Sequence, residues 1–462
     1  MNGNSTMGTN TPKPTRGKWA TVLFISLGCA KNQVDSEIML HRLREEGFHL
    51  TDRPEEAETV VVNTCSFIES AVQESIETIL EAARLKEEGR CRALVVTGCF
   101  PQRYGRALIR RLPEVDLFLG TEAFGGLVEY LKALLSGGKT PKMVLKPEVG
   151  LWDQVQRRFL FSTPGTAYLK IAEGCSNHCS YCTIPAIRGR LRSRPLEVLL
   201  AESRMLAEEG VKELILLAQD TTAYGMDLGG KPSLMDLLPR VSAVAGLEWI
   251  RLLYLRPERI SEDLLKMMAE DERICPYFDL PLQHANRRIL QAMHRSYDRA
   301  WVSKLIDTIR MTVPQAVLRT TMIIGFPGEG EGEFKELLDF ISEKEFDHLG
   351  AFLYSPEEGT PAAALPNRVP EEIGRERLET LMERQREISA RKNRERIGTV
   401  EPVLVSGTSP ESEWLIQGRT RFQAPDVDGV VYITDGEPRI GEIVSVEITQ
   451  AHDYDLVGKV VA

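Results

Sequence analysis

The chain is 462 residues long, more than one ordinary hydrophobic core organises, and so points to about three domains. With 42% apolar and 27% charged residues it has the composition of a soluble globular chain, and it contains no apolar run of the roughly 18–20 residues needed to span a bilayer. A net charge of −10 argues against a protein that coats nucleic acid non-specifically, though not against a local basic patch.

The opening stretch, MNGNSTMGTNTPKPTRGK, is polar and lacks the apolar centre of a signal peptide. It reads as a disordered tail over 1–19 on a cytoplasmic protein. From 20 to 138 apolar runs alternate with helical patterns: VLFISL, then a helix over 35–46; TVVVNT, then one over 69–86; RALVVTG, then one near 102–111; LFLG, then one near 124–135. Continuous β-branched runs between helices predict a parallel sheet covered on both faces, hence a small doubly wound α/β domain. Residues 139–164 read as a linker with a hairpin or irregular insert, bounded by the breakers SGGKTPK and STPG.

Between 165 and 394 six further strands are expected: AYLKIAE, ELILLAQ, WIRLLYL, YFDLPLQ, LRTTMIIGF and HLGAFLY, the first five each followed by a helical stretch. Six βα units fit an incomplete (β/α)6 barrel. A charged helix over about 370–396 closes it, its charges expected on a solvated face. From 395 to 462 helical patterns vanish, and five short strands, PVLVSGT, EWLIQGRT, GVVYIT, GEIVSVEITQ and DLVGKVV, predict a small all-β barrel.

Eight cysteines, at 29, 65, 91, 99, 175, 179, 182 and 275, are expected to be reduced in a cytosolic chain, which leaves metal ligation or inert burial. Cys175, Cys179 and Cys182 form C-x-x-x-C-x-x-C directly after the first barrel strand. Three thiolates so spaced wrap three corners of a four-iron cluster and leave one iron open. A zinc site completed by His178 is the structural alternative.

Cys29, Cys65 and Cys99 each fall just beyond the carboxyl end of a strand of the N-terminal sheet. That edge of an open α/β sheet is where ligands bind, so three loops bring three thiolates to one crevice. Three buried small hydrophobes are the plain alternative. Cys91 and Cys275 precede their strands and read as ordinary cysteines. Barrel active sites likewise gather at strand carboxyl ends. There lie Gln219 and Asp220, Arg256, Gln283 and His284, the run Gly325-Phe326-Pro327-Gly328-Glu329, and Tyr354-Ser355. Normal loop composition is the alternative for any one of them.

The barrel motif, with Tyr181 before Cys182, resembles the radical S-adenosylmethionine (SAM) superfamily, whose pattern is C-x-x-x-C-x-aromatic-C; the resemblance covers about 165–390. It implies that Cys175, Cys179 and Cys182 are catalytic cluster ligands and that SAM chelates the open iron. Electron transfer then frees a 5′-deoxyadenosyl radical. Such chemistry suits an unactivated C–H bond, which has no acidity for a side-chain base to exploit. The GFPGE run is similar to the superfamily's segment near the cofactor. Tyr181, Gln219, Asp220, Arg256, Gly325, Phe326 and Pro327 are the expected cofactor contacts.

The pattern SLGCAKNQVDSE, VVNTCSFI, VTGC resembles the methylthiotransferases, and this implies a second four-iron four-sulfur cluster on Cys29, Cys65 and Cys99, whose open iron holds the sulfur to be inserted. Asn32 and Asp35 are candidates for supporting those ligands. The family modifies either a transfer-RNA adenosine or an aspartate β-carbon of ribosomal small-subunit protein twelve. The first motif looks like the ribosomal-protein branch, the RimO type.

The C-terminal barrel resembles the TRAM module. Over 397–462 it carries four Lys and Arg against eleven Asp and Glu. That charge repels a phosphate backbone and attracts a basic ribosomal protein. Arg419, Arg421 and Phe422 are a small basic–aromatic group that points the other way, toward RNA, unless they form a solvated strand end. A transfer-RNA methylthiotransferase and a non-catalytic iron–sulfur scaffold docking on ribosomes are the competing readings. The expected partners are the basic ribosomal protein, SAM and a low-potential electron donor.

Overall fold

The computed structural model describes residues 19–146 and 153–461. The tail expected over 1–19 therefore lies, but for Trp19, outside the described residues, as do 147–152 of the linker. Two compact units form: one up to Phe161 together with Thr183–Arg190, the other from Ser162–Cys182 and Leu191 onward.

The first unit is built on six parallel strands: β1 (Thr21–Ser26), β2 (His49–Thr51), β3 (Thr59–Thr64), β4 (Ala93–Gly98), β5 (Leu117–Leu119) and β6 (Met143–Val144), in the order β2-β1-β3-β4-β5-β6. Every residue of β3 and β4 is buried, as a strand covered by helices on both faces must be. Val60, Val62, Leu94, Val96 and Phe118 carry one core with Ile79 of the helix Glu69–Glu87. Strand order reverses at β1, so the crevice between β1 and β3 is a topological switch point.

Three local expectations change. The first helix spans Ala30–Glu45 and so starts on the residue after Cys29, not at 35. The helix expected near 102–111 is two, Cys99–Tyr104 and Ala107–Arg111, parted at Gly105, whose φ of +58° an α-helix does not accommodate. Where a hairpin or irregular insert was expected, Met143 and Val144 instead add a parallel edge strand against Phe118 and Leu119. Two residues are too few to leave a periodic signature.

In the second unit the six barrel strands are present with two short additions. β7 (Thr166–Lys170), β10 (Glu213–Leu217) and β11 (Trp249–Leu252) form one parallel sheet. β12 (Tyr277–Gln283), β13 (Val317–Ile324) and β14 (His348–Leu353) form another. A bridge between Ile250 and Ile274 links the two sheets. β8 (Ala172–Glu173) and β9 (Arg192–Ser193) pair just beyond β7. The helix Glu371–Arg394 buries Leu381 and Ile388 and leaves most of its charges outward.

The last five strands, β15 (Val400–Ser409), β16 (Ser412–Thr420), β17 (Val431–Asp435), β18 (Ile443–Ala451) and β19 (Leu456–Val460), close into a barrel ordered β15-β16-β17-β19-β18. Val403, Val405, Val431, Ile433, Val446 and Ile448 fill it.

The loop after β16 corrects the reading of Arg419, Arg421 and Phe422, which are neither free for RNA nor a solvated strand end. Arg419 donates to Glu213 Oε2 at 2.7 Å and to Thr166 Oγ1 at 3.0 Å. Arg421 donates to the Ile274 carbonyl at 2.9 Å, and His348 Nε2 pairs with the Phe422 carbonyl at 2.9 Å. Tyr277 donates to Asp428 at 2.5 Å and Tyr168 to Asp426 at 3.1 Å. Thr166, Glu213, Tyr277 and His348 are the first residues of β7, β10, β12 and β14. The small barrel thus seals the amino-terminal end of the large one, the end away from catalysis in this architecture. Burying these arginines costs less than it otherwise would because each meets an acidic or carbonyl partner.

Candidate active site

In the first unit Cys29 occupies the N-cap position of Ala30–Glu45, Cys65 follows β3, and Cys99 opens the helix after β4. Cys29 and Cys65 therefore flank the switch point. Two glycines make the approach possible. Gly28 has φ +96°, and a Cβ there would lie 2.8 Å from Cys65 Cβ. Gly98 has φ +97°, and a Cβ would lie 2.4 Å from Asn63 Oδ1 and 2.6 Å from the Thr64 carbonyl.

The polar side of the first helix lies inward. Asn32 Nδ2 donates to the Leu27 and Thr64 carbonyls at 3.0 and 2.8 Å, joining the loops of Cys29 and Cys65. Asn63 Nδ2 donates to the Asn32 carbonyl and to Ser36 Oγ. Arg188, which the sequence did not single out, donates to Asn32 Oδ1 at 2.6 Å, Asp35 Oδ2 at 3.3 Å and Cys99 Sγ at 3.5 Å.

The three thiols feel one another. Burial, then Cys99 and Cys29, pushes Cys65 up to about 12. Burial likewise raises Cys99. Crowding pushes Cys29 up although the residue keeps exposed surface, yet Lys31, Arg188 and the backbone N–H groups of Asn32 and Lys31 outweigh it and hold the thiol below its ordinary value.

In the second unit Cys175, Cys179 and Cys182 are half-buried on the loop after β8. Ser180 pins the loop, its hydroxyl donating to the Ala292 carbonyl at 2.6 Å. Asn177 Nδ2 donates to Cys175 Sγ at 3.3 Å and to Asp220 Oδ2 at 2.7 Å, and Arg259 pairs with both Asp220 and Asn177. Arg256, held by Glu258, points Nη1 at Cys179 Sγ from 3.8 Å. Burial raises the Cys175 thiol.

Gln219 donates to Glu173 Oε1 at 3.0 Å, and its own Oε1 is buried without a hydrogen-bond partner among the described residues. Asp220 and Arg256 thus lie in the immediate surroundings of the thiols, with Gln219 at the strand end beside them. Tyr181 instead accepts from Arg295 at 2.8 Å and packs against the small core of Ile289, Met293, Phe326 and Ala362. Phe326 is wholly buried, edge-on to Tyr354 at 5.1 Å, so this part of the GFPGE run offers backbone rather than a ring. Gly325, at φ +75°, donates its N–H to Glu329 Oε2, which lies 3.4 Å from His284 Nε2. Pro327 is buried behind it. Gln283 ends β12 at φ +74°, a conformation a non-glycine residue adopts only when its surroundings force it.

Asn177, Arg259, Arg295 and Glu173 escaped sequence reasoning. Asn177 alone carried a signal, its place inside the cysteine loop. Cys91 and Cys275 are buried at the amino ends of β4 and β12. His178 is exposed and uses its carbonyl to receive His294 Nδ1.

Among the described residues no three His, Cys, Asp or Glu side chains draw together tightly enough for one metal ion. A four-iron cluster spreads its thiolates over separate corners, so both wider cysteine sets fit such a group. The orphaned Gln219 acceptor also suits a ligand with hydrogen-bond donors.

Comparison with known proteins agrees with this architecture. Residues 21–120 match Uncharacterized protein family UPF0004, 169–341 the Radical SAM superfamily, and 397–461 the TRAM domain. Ribosomal protein uS12 methylthiotransferase RimO of Geobacter sulfurreducens is 48% identical over 441 residues, 96% of this chain and 98% of that protein. The protein of the same name from Desulforamulus reducens is 48% identical over 94% of this chain and 98% of its own. Among solved structures, the radical SAM methyltransferase TsrM of Kitasatospora setae superposes with a TM-score of 0.55 at 16% identity, covering 86% of this chain and 80% of its own; this likeness speaks to fold alone. The superfamily match carries with it an iron–sulfur cluster and SAM as cofactors. With near-full-length identity of this order, the chain belongs to the RimO family of radical SAM methylthiotransferases.

Proposed function

We propose that this protein inserts a methylthio group at the β-carbon of an aspartate of ribosomal small-subunit protein uS12, using two four-iron four-sulfur clusters, one on Cys175, Cys179 and Cys182 and the other on Cys29, Cys65 and Cys99. The observation that carries the second cluster is the meeting of three loops at the β1/β3 switch point, which two close-approach glycines permit. The relatives' name supplies the substrate. The net −7 charge of 397–462 suits a basic protein, and because Asp426 and Asp428 engage the large barrel together with Arg419 and Arg421, the balance carried by its other residues stays acidic.

When bound, the barrel cluster and SAM supply a carbon-centred radical able to take hydrogen from an unactivated C–H bond. The chain's own residues do the rest. The Asn177–Asp220–Arg259 set fixes the loop at Cys175, and Arg256 places positive charge beside Cys179. Gln219 offers an acceptor at the strand end, and Gly325 lets backbone approach a ligand without a Cβ. Tyr181, Phe326 and Pro327 act by holding that wall in place.

We take the domains as 20–138, 139–164, 165–394 and 395–462. The protein works in the cytoplasm with a low-potential electron donor; among the described residues no helix is long and apolar enough to cross a membrane. Anaerobic reconstitution tests the reading. Cys175→Ala should abolish formation of 5′-deoxyadenosine. Cys65→Ala should retain it while mass spectrometry shows no methylthiolated uS12. Methylthiolated product from Cys65→Ala would refute the second cluster.

A further inference from the structure

The segment Thr183–Arg190 leaves the barrel unit one residue after Cys182 and belongs to the N-terminal unit, returning at Leu191. There its short helix, Ile184–Arg188, packs against Cys99–Tyr104, and Thr183 donates to the Phe67 carbonyl at 3.4 Å, two residues beyond Cys65. The helix ends on Arg188, only 3% exposed. One guanidinium nitrogen, Nη2, spans Asn32 Oδ1 at 2.6 Å and Cys99 Sγ at 3.5 Å; the other, Nη1, meets Asp35 Oδ2 at 3.3 Å. Asn32 in turn holds the Leu27 and Thr64 carbonyls beside Cys29 and Cys65. One side chain thus ties all three thiol-bearing loops.

We propose that Arg188 is a positioning residue of the N-terminal cluster: its planar fork fixes the Cys99 thiolate against Asn32 and Asp35, and its N–H donation to the sulfur sets that cluster's reduction potential. This rests on the second-cluster reading above. A buried charge is tolerated only when paired, and Asp35 supplies the pairing. A lysine keeps the charge but presents one point of contact where the fork presents two. Hydrogen bonds to ligand sulfurs stabilise the reduced, more negative cluster and so raise its potential. Nothing in the barrel motif demands an arginine here; its role appears only because the chain carries the segment after Cys182 into the other unit.

The test uses the full chain with Cys175, Cys179 and Cys182 changed to Ala, so that only the N-terminal set binds iron. Iron, sulfide and the midpoint potential by spin-resonance titration are measured with Arg188, Arg188→Lys and Arg188→Gln. The expected result is a shift to lower potential, small in Lys and larger in Gln; loss of the cluster from Gln but not from Lys supports the same role. Equal potentials and equal iron in all three overturn the inference and leave the second cluster standing, whereas loss from both variants in protein whose near-ultraviolet dichroism is unchanged supports it, because lysine keeps the charge but not the fork. A parent that binds no iron sinks both readings together.

Discussion

Glu213 is the acidic centre of the seal between the two barrels, and its removal has a size that the structure fixes. Its carboxylate is fully buried, accepting from Arg251 Nε and Arg419 Nη2, each at 2.7 Å. Glu213→Ala leaves two buried guanidinium groups facing each other. Each keeps a carbonyl partner, Arg421 O for Arg251 and Gln423 O for Arg419, so the loss stays within the range for one broken buried pair, about 3–5 kcal/mol. For a cooperative unit of this size each kcal/mol moves Tm by about 2 °C, so the melting temperature should fall by about 6–10 °C. Circular dichroism melting of anaerobically purified protein measures it.

The same pair gives a pH signature. Burial pushes Glu213 up, but Arg419 and Arg251 outweigh burial and hold its pKa below the ordinary 4.5. A carboxylate depressed on folding stabilises fully above its unfolded pKa, and that contribution drains away as pH falls through the folded one. The destabilisation by Glu213→Ala should therefore be constant near neutrality and shrink below about pH 4.5. A variant that melts within about 2 °C of the parent at pH 7 would show that the arginines find water or other partners, and the reasoning would be wrong.

Two further outcomes follow from the same geometry. Gly98→Ala, forced to φ +97° with its Cβ against Asn63 Oδ1 and the Thr64 carbonyl, should cost at least about 1–3 kcal/mol and strip the N-terminal site. Iron content of the reconstituted variant should fall by about half while 5′-deoxyadenosine formation persists; full iron would count against the cysteine crevice. Deleting residues from 395 onward should not release a working barrel, because Glu213, Tyr277 and His348 lose partners at once. Soluble protein with native dichroism after that deletion would contradict the seal.

Much of this protein is legible in its sequence because the signals are local. A buried parallel strand needs an unbroken apolar run, and TVVVNT and RALVVTG have one. Three cysteines within eight residues mark a candidate cluster loop without any knowledge of the fold. Even Cys29, Cys65 and Cys99, some 35 residues apart, could be paired through a general rule: each follows a strand, and strand carboxyl ends share one edge.

What the tertiary structure alone decided is where the arginines go. In sequence Arg419 and Arg421 form a basic–aromatic group, and Arg188 is one charge in a short polar stretch. In the fold the first two are spent on Glu213 and on the carbonyls of Glu272 and Ile274, while the third lies buried on Cys99. A helix or a strand is written in the spacing of apolar residues. The partner of a long charged side chain is chosen by loops that meet only after folding, hundreds of residues apart or one unit away, and no periodicity records that meeting.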